Sequence, residues 1–95
     1  MTNQTPKVDV WRSDEGWRLV AELPGARAEG VKVTADRGTL TVYAEAGARI
    51  FKRSFTLPDE VDADGIGARL ERGLLTLNLP RVPTARSRQI RVESA

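Results

Sequence analysis

A chain of 95 residues, 40% hydrophobic and 29% charged, has the balance of one small globular domain with a single modest core. With no Cys and no His, it can hold no disulfide, no thiol nucleophile, no zinc finger and no Ser-His-Asp or Cys-His arrangement. A formal charge of +2 gives only weak attraction to phosphate, and no apolar run is long enough for a membrane-spanning helix, so neither nucleic acid nor a membrane is an expected partner.

Residues 1–6 are polar and carry no signal-peptide stretch, so a short frayed N-terminus and a cytoplasmic location are expected. From there the dominant pattern has period two. Val8 and Val10 alternate with Asp9 and Trp11, and Trp17, Leu19, Ala21 and Leu23 with Arg18, Val20 and Glu22. Val31, Val33 and Ala35 form the next run, then Leu40, Val42 and Ala44. Phe51, Arg53, Phe55 and Leu57 share one parity, as do Ile66, Ala68 and Leu70, and Leu75, Leu77 and Leu79. Such runs are half-buried strands with one face to a core. Asp14-Glu15-Gly16, Pro24-Gly25, Asp36-Arg37-Gly38, Glu45-Ala46-Gly47 and Glu71-Arg72-Gly73 supply turns between them. No stretch carries a 3.6-residue apolar stripe.

Seven such runs in so short a chain imply an all-β fold. The expected architecture is an immunoglobulin-like β-sandwich of two antiparallel sheets, with seven to eight short strands over residues 7–80. Residues 81–95 read as an extension. Arg81 to Arg88 has a Pro, several Arg and no apolar period, and Gln89-Ile90-Arg91-Val92-Glu93 then alternates again. A two-anchor segment on a tether suits either a ligand for a sheet edge or a last strand of the sandwich, and the pattern alone leaves both open.

Other chemistry finds little support. In the acidic loop Asp59–Gly65, Asp62 and Asp64 begin like a calcium loop, but Ile66 and Gly73 fall where ligands are required. The glycines sit singly at turns, so no phosphate-cradling loop is present. Trp11 and Trp17 could form a sugar platform, but they fit better as core or edge cover. No catalytic set, metal or cofactor is expected, and the protein is not expected to be an enzyme.

Several strings together resemble the α-crystallin domain of small heat-shock proteins. Ala68-Arg69-Leu70-Glu71-Arg72-Gly73-Leu74-Leu75 is similar to that family's A-x-x-x-x-G-V-L, with Leu74 for Val. Ala21-Glu22-Leu23-Pro24-Gly25 resembles A-x-L-P-G, and Arg53-Ser54-Phe55-Thr56-Leu57-Pro58 resembles R-S-F-x-L-P. Val8-Asp9-Val10 and Leu77-Asn78-Leu79-Pro80 also fit, and Ile90-Arg91-Val92 resembles the I-x-I/V motif of the family's C-terminal extension. The likeness runs over about residues 7–92.

The resemblance implies an ATP-independent holdase that binds partly unfolded client proteins. It also implies a groove between two edge strands that takes the Ile90 and Val92 anchors, with Val33, Ala35, Ile66 and Ala68 at the groove positions. These four could equally be plain core. Arg53 matches an Arg near the family's dimer seam and shares a face with Phe51 and Phe55, so these three are the dimer-interface candidates; the alternative for Arg53 is a rim position with a packed stem and a wet head.

Two departures shape the expected assembly. The family usually carries a long apolar-rich N-terminal arm, whereas about six polar residues precede the first strand here. Residues 43–50 are too short for the family's long strand-swapping loop, so a direct hairpin is expected. An edge-to-edge dimer along Ile50 to Leu57, a small oligomer or a monomer then become the candidate states. Besides the holdase, two readings stay open: a scaffold or co-chaperone module with one folded partner, and a minimal member that co-assembles with a longer small heat-shock protein.

Overall fold

The computed structural model describes residues 2–83 and Val92. It contains eight strands: β1 (Thr2–Gln4), β2 (Val8–Ser13), β3 (Gly16–Glu22), β4 (Val31–Asp36), β5 (Thr39–Ala46), β6 (Arg49–Thr56), β7 (Gly67–Glu71) and β8 (Leu74–Pro80). Two 3-10 turns, Ala28–Gly30 and Ala63–Gly65, lie between strands. The strands form two four-stranded sheets, ordered β1-β6-β5-β4 and β2-β3-β8-β7. All neighbours are antiparallel except β1 and β6. The expected all-β sandwich is therefore what the chain forms.

The hairpins follow from their turn residues. Asp36 pairs with Thr39 and Glu71 with Leu74, each across an Arg-Gly dipeptide. Both residues of each dipeptide have positive φ: 50° and 78° at Arg37 and Gly38, 51° and 75° at Arg72 and Gly73. That is the type I′ geometry that matches strand twist. Ala46 pairs with Arg49, so β5 and β6 form the direct hairpin expected from the short segment 43–50.

The core comes from the alternating runs of the central strands. Leu19, Ala21 and Leu23 meet Leu75, Leu77 and Leu79 on one sheet, facing Leu40, Val42, Ala44, Ala46 and Phe51 on the other. Leu57 and Val61 close it from loops. Each fully buried Leu contributes roughly 1.5–3 kcal/mol by leaving water.

Two expectations about the ends need adjusting. The frayed segment 1–6 instead supplies β1, whose Thr2, Asn3 and Gln4 pair in parallel with Arg49, Ile50 and Phe51. Its polar side chains gave no burial pattern, because the strand is held by backbone pairing at a sheet edge. The sandwich also runs slightly past residue 80. Arg81 bridges to Val61, the Val82 N–H donates to the Glu60 carbonyl, and the Arg81 guanidinium lies 4.8 Å from the centre of the Trp17 ring.

Candidate functional site

Strand register puts the inward side chains of each sheet in rows that cross from margin to margin. In one sheet, Val33, Val42 and Arg53 form a row, and Ala35, Leu40 and Phe55 the next. In the other, Ala68, Leu77, Leu19 and Val10 form a row, and Leu70, Leu75, Ala21 and Val8 the next. Burial is complete in the middle of each row and incomplete at its ends. Alternation therefore identifies the inward face, while position in the sheet decides whether that face is covered.

Connectivity tells which margins lie together. Residues 5–7 alone join β1 to β2, so those two edges stack on one side of the sandwich. The edges β4 and β7 are thereby left at the opposite side. Val33 and Ile66 are half-buried there and pack against the core, while Ala35 and Ala68 are exposed. Of the four residues placed at the groove by resemblance, Val33, Ala35 and Ala68 thus lie on the inward faces of the two edge strands of one margin, and Ile66 lies just before β7 at the same margin. Val31 and Leu70, half-buried and packed on the same core, extend it. They were legible by parity, two residues from Val33 and Ala68, but the motif match did not point to them.

This margin offers two kinds of contact. Among the described residues, the outer edges of β4 and β7 carry no further strand, so their outward N–H and C=O groups can accept an extended peptide. The half-covered apolar side chains between them can take two alternate side chains of such a peptide. The outward faces remain polar, and the Arg69–Glu71 ion pair on β7 (3.2 Å) is exposed to solvent.

The three dimer-interface candidates do not form one surface. Phe51 is a core residue, 3% exposed. Arg53 and Phe55 are half-buried at the β1/β2 margin. The Arg53 guanidinium sits 5.0 Å from the centre of the Phe55 ring, and its Nη1 donates to the Pro6 carbonyl at 3.4 Å. A cation on an inward face is thus accommodated by an aromatic ring and a backbone acceptor. β1 covers the edge of β6 only along Arg49–Phe51.

Ile90 lies outside the described residues. Val92 is 90% exposed, so it is not seated in the margin of its own chain in this structure. Trp11 pairs with Arg18 on the outward face while Trp17 lies beside Leu79 on the inward parity, so the rings do not share one sheet face, although both line the open hollow at that end of β2 and β3. In the acidic loop, Asp62 Oδ1 accepts from the Asp64 N–H at 3.2 Å, capping the 3-10 turn.

The model of the Hsp20/alpha crystallin family matches residues 9–93. Heat shock protein 16 of Schizosaccharomyces pombe is 30% identical over 103 residues, covering 90% of this chain and 72% of that protein. The 18 kDa antigen 1 of Mycobacterium avium is 36% identical over 104 residues, covering 93% and 69%. Among solved structures, hspA of Xanthomonas axonopodis superposes with a TM-score of 0.76 at 31% identity, covering 84% of this chain and 96% of that one. Heat shock protein 16.0 of S. pombe gives 0.76 at 31% identity, covering 95% and 99%. The sandwich, its register and these likenesses define a small heat-shock fold. The chain belongs to the Hsp20/alpha crystallin family, the small heat-shock proteins, and with them to the stress chaperones.

Proposed function

We propose that the protein is an ATP-independent holdase that captures extended apolar segments of partly unfolded proteins along the β4/β7 margin. The observation that carries this reading is the half-covered apolar seam between two strand edges that are unpaired among the described residues, formed by Val33, Ala35, Ile66 and Ala68 with Val31 and Leu70 beside them. A folded protein exposes few such segments and an unfolding one exposes many, so the seam discriminates by chemistry rather than by sequence. Holding requires no bond to be made or broken, so no catalytic group is called for.

Exposure of Val92 favours a second, compatible use of the seam. A tail whose apolar anchor is not seated in its own chain can dock Ile90 and Val92 in the seam of a neighbouring small heat-shock protein, linking the two. Dimers and small oligomers follow from such exchange.

The test is light scattering from a heat-aggregating client, with and without this protein, in buffer free of nucleotide. Suppression near equimolar ratio is expected. Unchanged scattering in large excess would remove the stand-alone holdase and leave a module that works only with a partner.

A further inference from the structure

The β1/β2 margin holds an edge of a different kind. Among the described residues β2 ends the order of its sheet, and no strand lies beyond Val8–Ser13. Val10 and Trp11, adjacent in sequence, are 55% and 54% exposed, so one large apolar side chain stands in water on each face of this edge. The neighbouring edge of the facing sheet is β1, with three residues against six in β2. The β5–β6 connection is a direct turn between Ala46 and Arg49, so that loop supplies no strand to cover β2.

The backbone groups of the edge follow from the register. The Glu22 N–H donates to the Lys7 carbonyl at 2.9 Å, one step beyond the pairing of Val8 with Ala21. Bonded and non-bonded residues alternate along an antiparallel pair, so Asp9, Trp11 and Ser13 turn their N–H and C=O groups toward β3. Val8, Val10 and Arg12 turn theirs to the open edge.

This edge is complementary to itself. Two copies related by a two-fold axis normal to the sheet pair antiparallel, with inward residues opposite inward ones. Centred on Val10, that pairing sets Val10 against Val10 of the second copy, Val8 against its Arg12 and Asp9 against its Trp11. The pairs Val10–Val10, Val8–Arg12 and Arg12–Val8 are then the bonded ones, so every open donor and acceptor of β2 is used. No like charges meet. The neighbouring symmetric registers are worse. Centring on Asp9 opposes two carboxylates, and centring on Trp11 sets Val10 against Arg12 and Val8 against Asp14, which lies past the end of the strand.

We infer that β2 pairs with β2 of a second copy, antiparallel and centred on Val10, so that the order β7-β8-β3-β2 continues across the axis into the same strands of the partner. Val10 and Trp11 leave water together as the edges meet. A contact of this length buries less than about 1,200 Å², so the dimer forms as concentration rises. The β4/β7 seams lie at its two far ends and stay open. The inference stands independently of the holdase reading, because it concerns a different margin.

The sequence has no Cys, so cross-linking can report the register directly. Asp9 and Trp11 of opposite copies face each other at a non-bonded position, about 4.5 Å between Cα atoms and within disulfide reach. Full-length Asp9→Cys and Trp11→Cys chains, one carrying a mass tag, should therefore form the mixed disulfide dimer when combined. Either chain alone should form little, because like positions stand about 8 Å apart. Sedimentation of the wild-type chain should show a monomer–dimer equilibrium. Val10→Lys, with an unchanged circular dichroism spectrum, should weaken dimerisation by about tenfold or more, since it opposes two ammonium groups at the axis. In amide hydrogen exchange, protection of Val8, Val10 and Arg12 should rise with protein concentration, while that of Asp9 and Trp11, already bonded to β3, stays level. A wild-type chain that is monomeric at its highest soluble concentration, a dimer indifferent to Val10→Lys, or equal cross-linking in single and mixed samples would each overturn the inference.

Discussion

The Leu23 N–H donates to the carbonyl of Gly73 at 2.6 Å, joining the end of β3 to the turn between β7 and β8. Leu23 belongs to Ala21-Glu22-Leu23-Pro24-Gly25 and Gly73 to Ala68–Leu75, so two separate sequence signatures meet at one contact. A Cβ on Gly73 would stand 3.1 Å from the Leu23 carbonyl oxygen and 3.3 Å from the Pro24 Cα. Gly73 also has a φ of 75°. Glycine is required here both for its conformation and for its size.

Gly73→Ala is therefore expected to destabilise the fold by about 2–3 kcal/mol, combining left-handed strain with backbone crowding. Gly38 makes a clean comparison, with a φ of 78° and open space at its Cβ. Gly38→Ala should cost only the conformational part, about 1 kcal/mol. Urea denaturation of both variants checks the difference; equal losses would show that the close approach to Leu23 contributes nothing.

Leu77 is fully buried between Leu19 and Ala68 in its row. Leu77→Ala should cost about 2–5 kcal/mol, as removal of a central side chain leaves a cavity. Ala68→Ser, at the open end of the same row, should change stability by less than about 0.5 kcal/mol. Similar losses at the two positions would contradict the gradient of burial from middle to margin.

Arg53 ties Pro6 to the sandwich and packs on Phe55. Arg53→Ala is expected to lose about 1–2 kcal/mol, from one charge-assisted hydrogen bond and one cation–π contact at a half-buried site. The loss should appear first as faster amide exchange in Thr2–Gln4, which Arg53 helps to hold beside β6. Exchange unchanged in β1 would separate Arg53 from that role.

Tyr43 is the single tyrosine, and its hydroxyl donates to Glu45 Oε1 at 2.9 Å. That hydrogen bond, with smaller contributions from desolvation and from the carboxylate's charge, raises its pKa above 10.0. The neutral phenol is the form that donates, so ionisation is delayed to higher pH. Ultraviolet titration should give a midpoint above 10.0 that falls back toward the ordinary value, about 10, in Glu45→Ala. An unshifted midpoint would mean that the bond is not kept in solution.

The strands were legible because buried leucines and valines repeat with period two and the turns carry Arg-Gly or Pro-Gly signals. Val10 shows the limit of that pattern. Its parity is that of a core residue, but it lies on an edge strand with nothing above it, and edge position is a property of topology. Phe51 shows the converse. Its shared parity with Arg53 made it an interface candidate, but did not reveal that it pairs with Ala44 and sits under the core. The seam was reached through motif likeness, since Ala35 and Ala68 carry no chemistry of their own. β1 was invisible because Thr2, Asn3 and Gln4 join the sheet by backbone pairing, which leaves no hydrophobic pattern in the sequence.

The most direct test of the central claim is client light scattering with the wild-type chain and Ala68→Glu, run without nucleotide. Ala68 is exposed on the inward face of β7, so the charge enters the seam without disturbing the core. The account predicts that the wild-type chain suppresses scattering near equimolar ratio and that Ala68→Glu, equally folded by circular dichroism, loses most of that suppression. Equal suppression by both would move client capture away from the β4/β7 seam, and no suppression by either would contradict the holdase reading itself.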